Sequence, residues 1–83
     1  SNAYRCRDGG YVLIGGNGDS IFKRLMRAIG RTDLADDPAL AQNAGRAQQS
    51  ERLDQAIEAW TLLRSVDEVV AALDAADVPV GKI

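Results

Sequence analysis

An α+β fold is predicted: a short antiparallel β-hairpin plus a C-terminal strand, packed with three to four α-helices. Three observations predict it. Two strand-prone runs near the start are separated by Asp8-Gly9-Gly10, and Asp-Gly between such runs is a strong hairpin signal. Two later segments carry apolar residues at the helical spacing of three and four. The last residues, Val78-Pro79-Val80, read as a terminal strand whose proline points to an edge or strand-start position.

The hairpin strands are expected at Tyr4–Arg7 and Tyr11–Ile14. From Ser20 the period changes to helical, with Phe22, Leu25, Met26 and Ile29 forming one stripe. Gly18, Asp19 and Ser20 supply N-cap chemistry for this helix, and Gly30 falls where a left-handed C-terminal cap belongs. Arg31 to Arg46 reads as a connector with a short helical turn at Asp33 to Ala35. A second turn is opened by Asp37 and Pro38, since proline at the first helical position forfeits no bond. A third helix is expected from Ser50 to Leu63, with Leu53, Ile57 and Trp60 on one face. Ser65-Val66-Asp67-Glu68 is a capping box for a fourth, whose stripe is Val66, Val69, Val70 and Leu73.

The chain has 83 residues, of which 46% are hydrophobic and 27% charged. That balance belongs to a folded chain, although one so short buries only about 60–65% of its unfolded surface. Ten basic residues are interleaved with twelve acidic ones, for a net charge of -2. A nucleic-acid face needs a denser basic patch, so no nucleic-acid partner is expected, and Lys23, Arg24, Arg27 and Arg31 read as the solvated side of a helix. With no histidine and one cysteine, Cys6, neither a Ser-His-Asp nor a Cys-His site can be built, and no metal ligand set is assigned. No apolar run approaches the roughly 20 residues of a membrane span. No signal peptide is read and a cytoplasmic location is expected. Ser1-Asn2-Ala3 reads as the remnant of a cleaved tag and is set aside, leaving residues 4–83 as a single small domain, and the natural protein is expected to be longer at both ends.

The stretch YVLIGGNGDSIF, Tyr11 to Phe22, raises the question of phosphate binding. Gly16 and Gly18 match the first two positions of G-x-G-x-x-G, but Ile21 stands at the third. Asp19 places a negative charge where a phosphate would sit at the helix N-terminus. Asn17 and Asp19 could begin a calcium loop, but the residues that follow lack the remaining oxygens. The loop therefore reads as a strand-to-helix turn with its cap. The acidic pairs Asp36-Asp37 and Asp67-Glu68 read as helix-start residues, and Trp60 as a core residue or a contact for a partner.

The order of segments YRCRDGGYVLIGG, F-x-R-L with IGRTDLADDP, N-A-G-R, LDQAIEAW and LDAADVPVGKI is similar to the smaller domain of class III CoA-transferases. That family includes formyl-CoA transferase, carnitine CoA-transferase, bile-acid-inducible protein F and the α-methylacyl-CoA racemases. The resemblance implies a longer parent with a large domain that binds CoA and carries a nucleophilic aspartate, in an interlocked homodimer. It implies transfer of CoA between an acyl-CoA and a carboxylic acid through an aspartyl intermediate. No catalytic residue is assigned here, and no cofactor is expected on the fragment: CoA or acyl-CoA is a substrate of the parent. The small domain of the family overlooks the substrate cleft, which makes Gly15, Gly16, Asn17, Gly18 and Asp19 the candidate substrate-binding residues. The family's usual ending A-G-V-P-x-G-P departs here at Asp77 and Lys82. Two other readings stay open at this point: a free-standing interaction module with an exposed apolar face around Trp60 or Met26, and the small domain of a racemase-like enzyme.

Overall fold

The computed structural model describes residues 2–83. Strands β1 (Asn2–Arg5), β2 (Tyr11–Ile14) and β3 (Val80–Lys82) form one antiparallel sheet in the order β1-β2-β3. Between β2 and β3 run helices α1 (Asp19–Ala28), α2 (Thr32–Ala35), α3 (Asn43–Gln48), α4 (Ser50–Thr61) and α5 (Val66–Ala75), with a 3-10 turn at Pro38–Leu40. The α+β class, the hairpin and the C-terminal strand are as predicted.

The hairpin closes where Asp8-Gly9 indicates: the Gly9 N–H donates to the Cys6 carbonyl at 3.1 Å, and Gly9 sits at φ 83°. Its first strand lies earlier than expected, at Asn2–Arg5 instead of Tyr4–Arg7. Asn2 and Ala3, set aside in the sequence, pair with Ile14 and Leu13, while Arg7 leaves the sheet and donates its N–H to the Arg64 carbonyl. Tyr4, Val12 and Ile14 face the helices and are buried; Tyr11 and Leu13 face the other way. This alternation is the period of two that a one-sided sheet imposes.

Phe22, Leu25, Met26 and Ile29 of the α1 stripe, together with Leu53, Ile57, Val69 and Leu73, fill the space beneath the sheet. Both expected turns of the connector form, and Asp37 caps the 3-10 turn by accepting the Ala39 N–H at 2.9 Å. Helix α3 was not expected, because NAGRAQ has no apolar stripe; the residue it buries is Arg46. Helix α4 stops at Thr61, and Thr61, not Trp60, joins Leu53 and Ile57 in its buried face. The Thr61 hydroxyl donates to the Arg5 carbonyl at 2.8 Å, tying α4 to the edge of β1.

Helices α1 and α5 end in the same way with different residues. After α1, Gly30 has φ 78°, its N–H bonds Arg27 O and the Arg31 N–H reaches back to Met26 O at 2.8 Å. After α5, Asp77 has φ 57°, its N–H bonds Asp74 O and Val78 N–H reaches Leu73 O at 2.9 Å. These are the two bonds of a Schellman cap. Holding Val78 in the cap delays β3, which starts at Val80 instead of the expected Val78. Pro79 immediately precedes the strand, at a sheet edge. A Cβ in the left-handed region costs about 1–2 kcal/mol, less for Asp than for most residues. Asp77→Gly is therefore expected to stabilise the fold by about 0.5–1 kcal/mol, raising the melting temperature by a few degrees. An unchanged or lower midpoint in a thermal melt followed by circular dichroism would show that the cap carries no strain.

Candidate functional site

A cleft of about 300 Å³ opens between the start of β1, the glycine loop and helices α3 and α4. Phe22, Leu25, Leu53 and Ile57 give it apolar walls, while the buried Arg46 and the side chains of Asn17, Asn43, Ser50 and Asp54 contribute polar groups. A shallower depression continues from it along β1 and α4 toward Glu58. Apolar walls with a few polar groups at the rim are the usual make-up of a small-molecule site.

Two of the five residues singled out in the sequence, Gly16 and Asn17, line this cleft. Gly15, Gly18 and Asp19 do not. The Gly15 N–H donates to Pro79 O at 3.0 Å and continues the β2–β3 ladder. Gly18 is the N-cap of α1 and makes no side-chain cap bond. Asp19 lies in the first turn of α1, and its carboxylate accepts from Arg46 Nη2 at 2.6 Å. The helix thus starts where Gly18, Asp19 and Ser20 indicate, but no side chain caps its first N–H groups, and the Asp19 carboxylate is engaged instead by a distant helix.

Arg46 is the organising residue of the loop. Its side chain is 6% exposed; Nη1 donates to Leu40 O at 3.0 Å, and Nη2 donates to Asn17 O at 3.0 Å as well as to Asp19. The guanidinium carbon stands 5.1 Å from the centre of the Phe22 ring, within cation–π range. A planar guanidinium can serve several fixed acceptors at once, which an ammonium cannot do with the same geometry. One side chain thus fastens the glycine loop, the start of α1 and the end of the 3-10 turn. Gly45 lets α3 approach that turn: a Cβ there would lie 1.9 Å from the Ala39 carbonyl oxygen. The sequence offered one signal for Arg46. Its neighbours three and four positions away are Gln42, Asn43, Gln49 and Ser50, so no acid on its own helix can pair with it.

At the other end of the cleft the Tyr4 hydroxyl donates to Asp54 Oδ1 at 2.6 Å, and Asn2 Nδ2 donates to both oxygens of the same carboxylate. Burial, followed by the bond and charge of Asp54, pushes the Tyr4 phenol well above its ordinary value of 10.0. Tyr4 therefore remains a protonated donor at neutral pH. Among the described residues, no cluster of three or more His, Cys, Asp or Glu side chains comes together as a metal site. The groups at the cleft can bind and orient a molecule with an apolar body and a polar end.

Away from the cleft, Arg27 pairs with Asp36 at 3.0 Å, Arg31 pairs with Asp33 at 3.1 Å, and Arg24 donates to the Asp77 carbonyl. The basic cluster of α1 is thus largely engaged within the chain. Met26, named in the sequence as part of an exposed apolar face, is fully buried. Trp60 is half-buried beneath Arg64, whose guanidinium carbon lies 4.4 Å from its ring centre. Among the described residues, no helix is long and apolar enough to cross a membrane.

Residues 1–83 match CoA-transferase family III. The chain belongs to this family. It is 41% identical to succinyl-CoA–D-citramalate CoA-transferase of Chloroflexus aurantiacus over its whole length, which is 21% of that relative. It is 36% identical to formyl-CoA:oxalate CoA-transferase of Streptomyces avermitilis, covering 98% of this chain and 20% of that one. Among solved structures, a CAIB/BAIF family protein from Brucella suis superposes with a TM-score of 0.88 at 29% identity, covering 99% of this chain and 21% of that chain. This family III domain therefore spans about a fifth of the length of the curated relatives it matches.

Proposed function

We propose that this chain is the small domain of a class III CoA-transferase whose parent moves CoA between an acyl-CoA and a carboxylic acid. The observation that carries the reading is the match over the entire chain, at 41% identity, to a CoA-transferase of which it covers only 21%. In this reading the remaining chain forms the large domain and supplies the aspartate that takes up the acyl group. A covalent intermediate divides one difficult exchange into easier steps. The parent is a cytoplasmic homodimer with interlocked subunits, working in acyl-CoA metabolism. The small domain contributes the cleft wall, with Gly16 and Asn17 meeting the substrate, while Gly15, Gly18 and Asp19 hold the loop in place behind them.

The test compares the 83-residue chain with the full-length protein that carries it. Each is incubated with succinyl-CoA or formyl-CoA and a panel of carboxylic acids, and new CoA thioesters are resolved by chromatography. Transfer is expected from the full-length protein and none from the small domain alone. Transfer by the small domain would overturn the division of labour, and a full-length protein that exchanges no thioester would overturn the function.

A further inference from the structure

We infer that the outer face of the sheet, presented by Tyr11, Leu13 and Ile83, is the surface on which the rest of the parent polypeptide docks. This inference rests on the proposed function only in assuming that a larger parent exists. Register places the three residues together. Leu13 is opposite Ala3 on one side and Gly81 on the other. Tyr11 is opposite Arg5, and its carbonyl accepts the Ile83 N–H at 3.2 Å. Two neighbouring rows of the sheet thus present Tyr11 and Leu13, each 46% exposed, with the last residue Ile83 beside them, on the face opposite Tyr4, Val12 and Ile14; the exposed Arg5 borders the same face next to Tyr11. An apolar sheet face left in water is unusual for a chain that ends its assembly as a monomer, and marks a contact.

The occupant is argued from topology and length. In the relatives this chain covers only 20–21% of the sequence, so about four-fifths of such a polypeptide lies outside the matched segment. β1 and β3 are the first and last elements of the chain and also the two edges of the sheet. Whichever end carries the flanking polypeptide, it therefore leaves from a strand of this sheet. Strand addition is not the mode of contact. Thr61 and Glu58 of α4 already bond the backbone of Arg5 on the β1 edge, and β3 is three residues long with a lysine in it, a pattern that discourages pairing.

The chain's two tyrosines provide the experiment. N-acetylimidazole acetylates accessible phenols, and peptide mass spectrometry separates Tyr4 from Tyr11. Tyr4, buried and bonded to Asp54, is the slow internal reference. Tyr11 is expected to react readily in the 83-residue chain and at least about tenfold more slowly in the full-length protein, the ratio that about 1.4 kcal/mol of docking produces. Leu13→Glu in the full-length protein is expected to restore Tyr11 reactivity. The same change in the 83-residue chain should leave the melting temperature within about 4 °C, as for an exposed site. Equal reactivity of Tyr11 in the two proteins would overturn the inference. So would protection of Tyr11 in the 83-residue chain that grows with its concentration, since a second copy would then be the occupant. CoA transfer is assayed on the same full-length sample: protection without transfer retains the surface and removes the function, whereas transfer with a fully reactive Tyr11 removes the surface alone.

Discussion

Gly45→Ala is expected to destabilise the fold by about 3 kcal/mol, the largest effect of any glycine-to-alanine change in this chain. Helix propensity alone predicts the opposite, because alanine inside a helix is favoured over glycine by about 0.8–1 kcal/mol. Gly45 lies in α3, so the two arguments differ in sign and one measurement decides between them. The steric argument wins on distance. The added Cβ would meet Ala39 O at 1.9 Å, with the Ala39 carbonyl carbon at 3.1 Å, and both belong to backbone. A flexible side chain could swing aside; a carbonyl within the 3-10 turn can move only with Pro38–Leu40, and Leu40 is fully buried. A domain of 83 residues has a total stability of about 4–12 kcal/mol, so the variant should show a much lower urea midpoint or be unfolded in buffer. A midpoint equal to or above that of the parent sequence would mean that α3 is free to shift.

The parts of the fold legible in the sequence are those fixed within a few residues. The turn at Asp8-Gly9, the cap at Gly30 and the reciprocal bonds between Ser65 and Glu68, at 2.8 and 3.1 Å, each depend on neighbours in the chain. The apolar stripes of α1 and α5 are also local signals, because burial follows the helical period. What the sequence did not reveal depends on distant partners. Arg46 finds Asn17 and Asp19, 29 and 27 positions earlier, and no pattern around NAGR specifies those acceptors. Thr61 enters the core because the Arg5 carbonyl, 56 positions away, satisfies its hydroxyl, while Trp60 packs half-buried against that core. β3 begins late because Asp77 adopts the left-handed geometry normally given to glycine. The candidate site follows the same division. The glycine loop was visible as a loop, but which two of its five residues reach the cleft was settled by Arg46 and by the Gly15 bond to Pro79.

Arg46→Met is expected to cost about 2–4 kcal/mol, most of it from acceptors left behind and little from the lost charge pair. The substitution keeps a long apolar stem and so avoids a large cavity. It strands the Leu40 carbonyl in a buried setting and the Asn17 carbonyl in a partly buried one, and removes the cation over Phe22. Asp19, by contrast, is 62% exposed and returns to water at small cost, so Asp19→Asn should change stability by less than about 1 kcal/mol. Arg46→Lys should fall near the Met variant, because one ammonium cannot reproduce the fork that serves Leu40, Asn17 and Asp19 together. Thermal unfolding checks the order, with each kcal/mol moving the midpoint by about 4–8 °C in a domain of this size. Amide exchange checks the mechanism: with the tether gone, protection should fall first at Gly16 to Ser20 and only weakly in α5. If Asp19→Asn cost as much as Arg46→Met, the ion pair rather than the carbonyls would be the source of the stability. Uniform loss of protection would instead show that Arg46 supports the whole core and not the loop at the cleft.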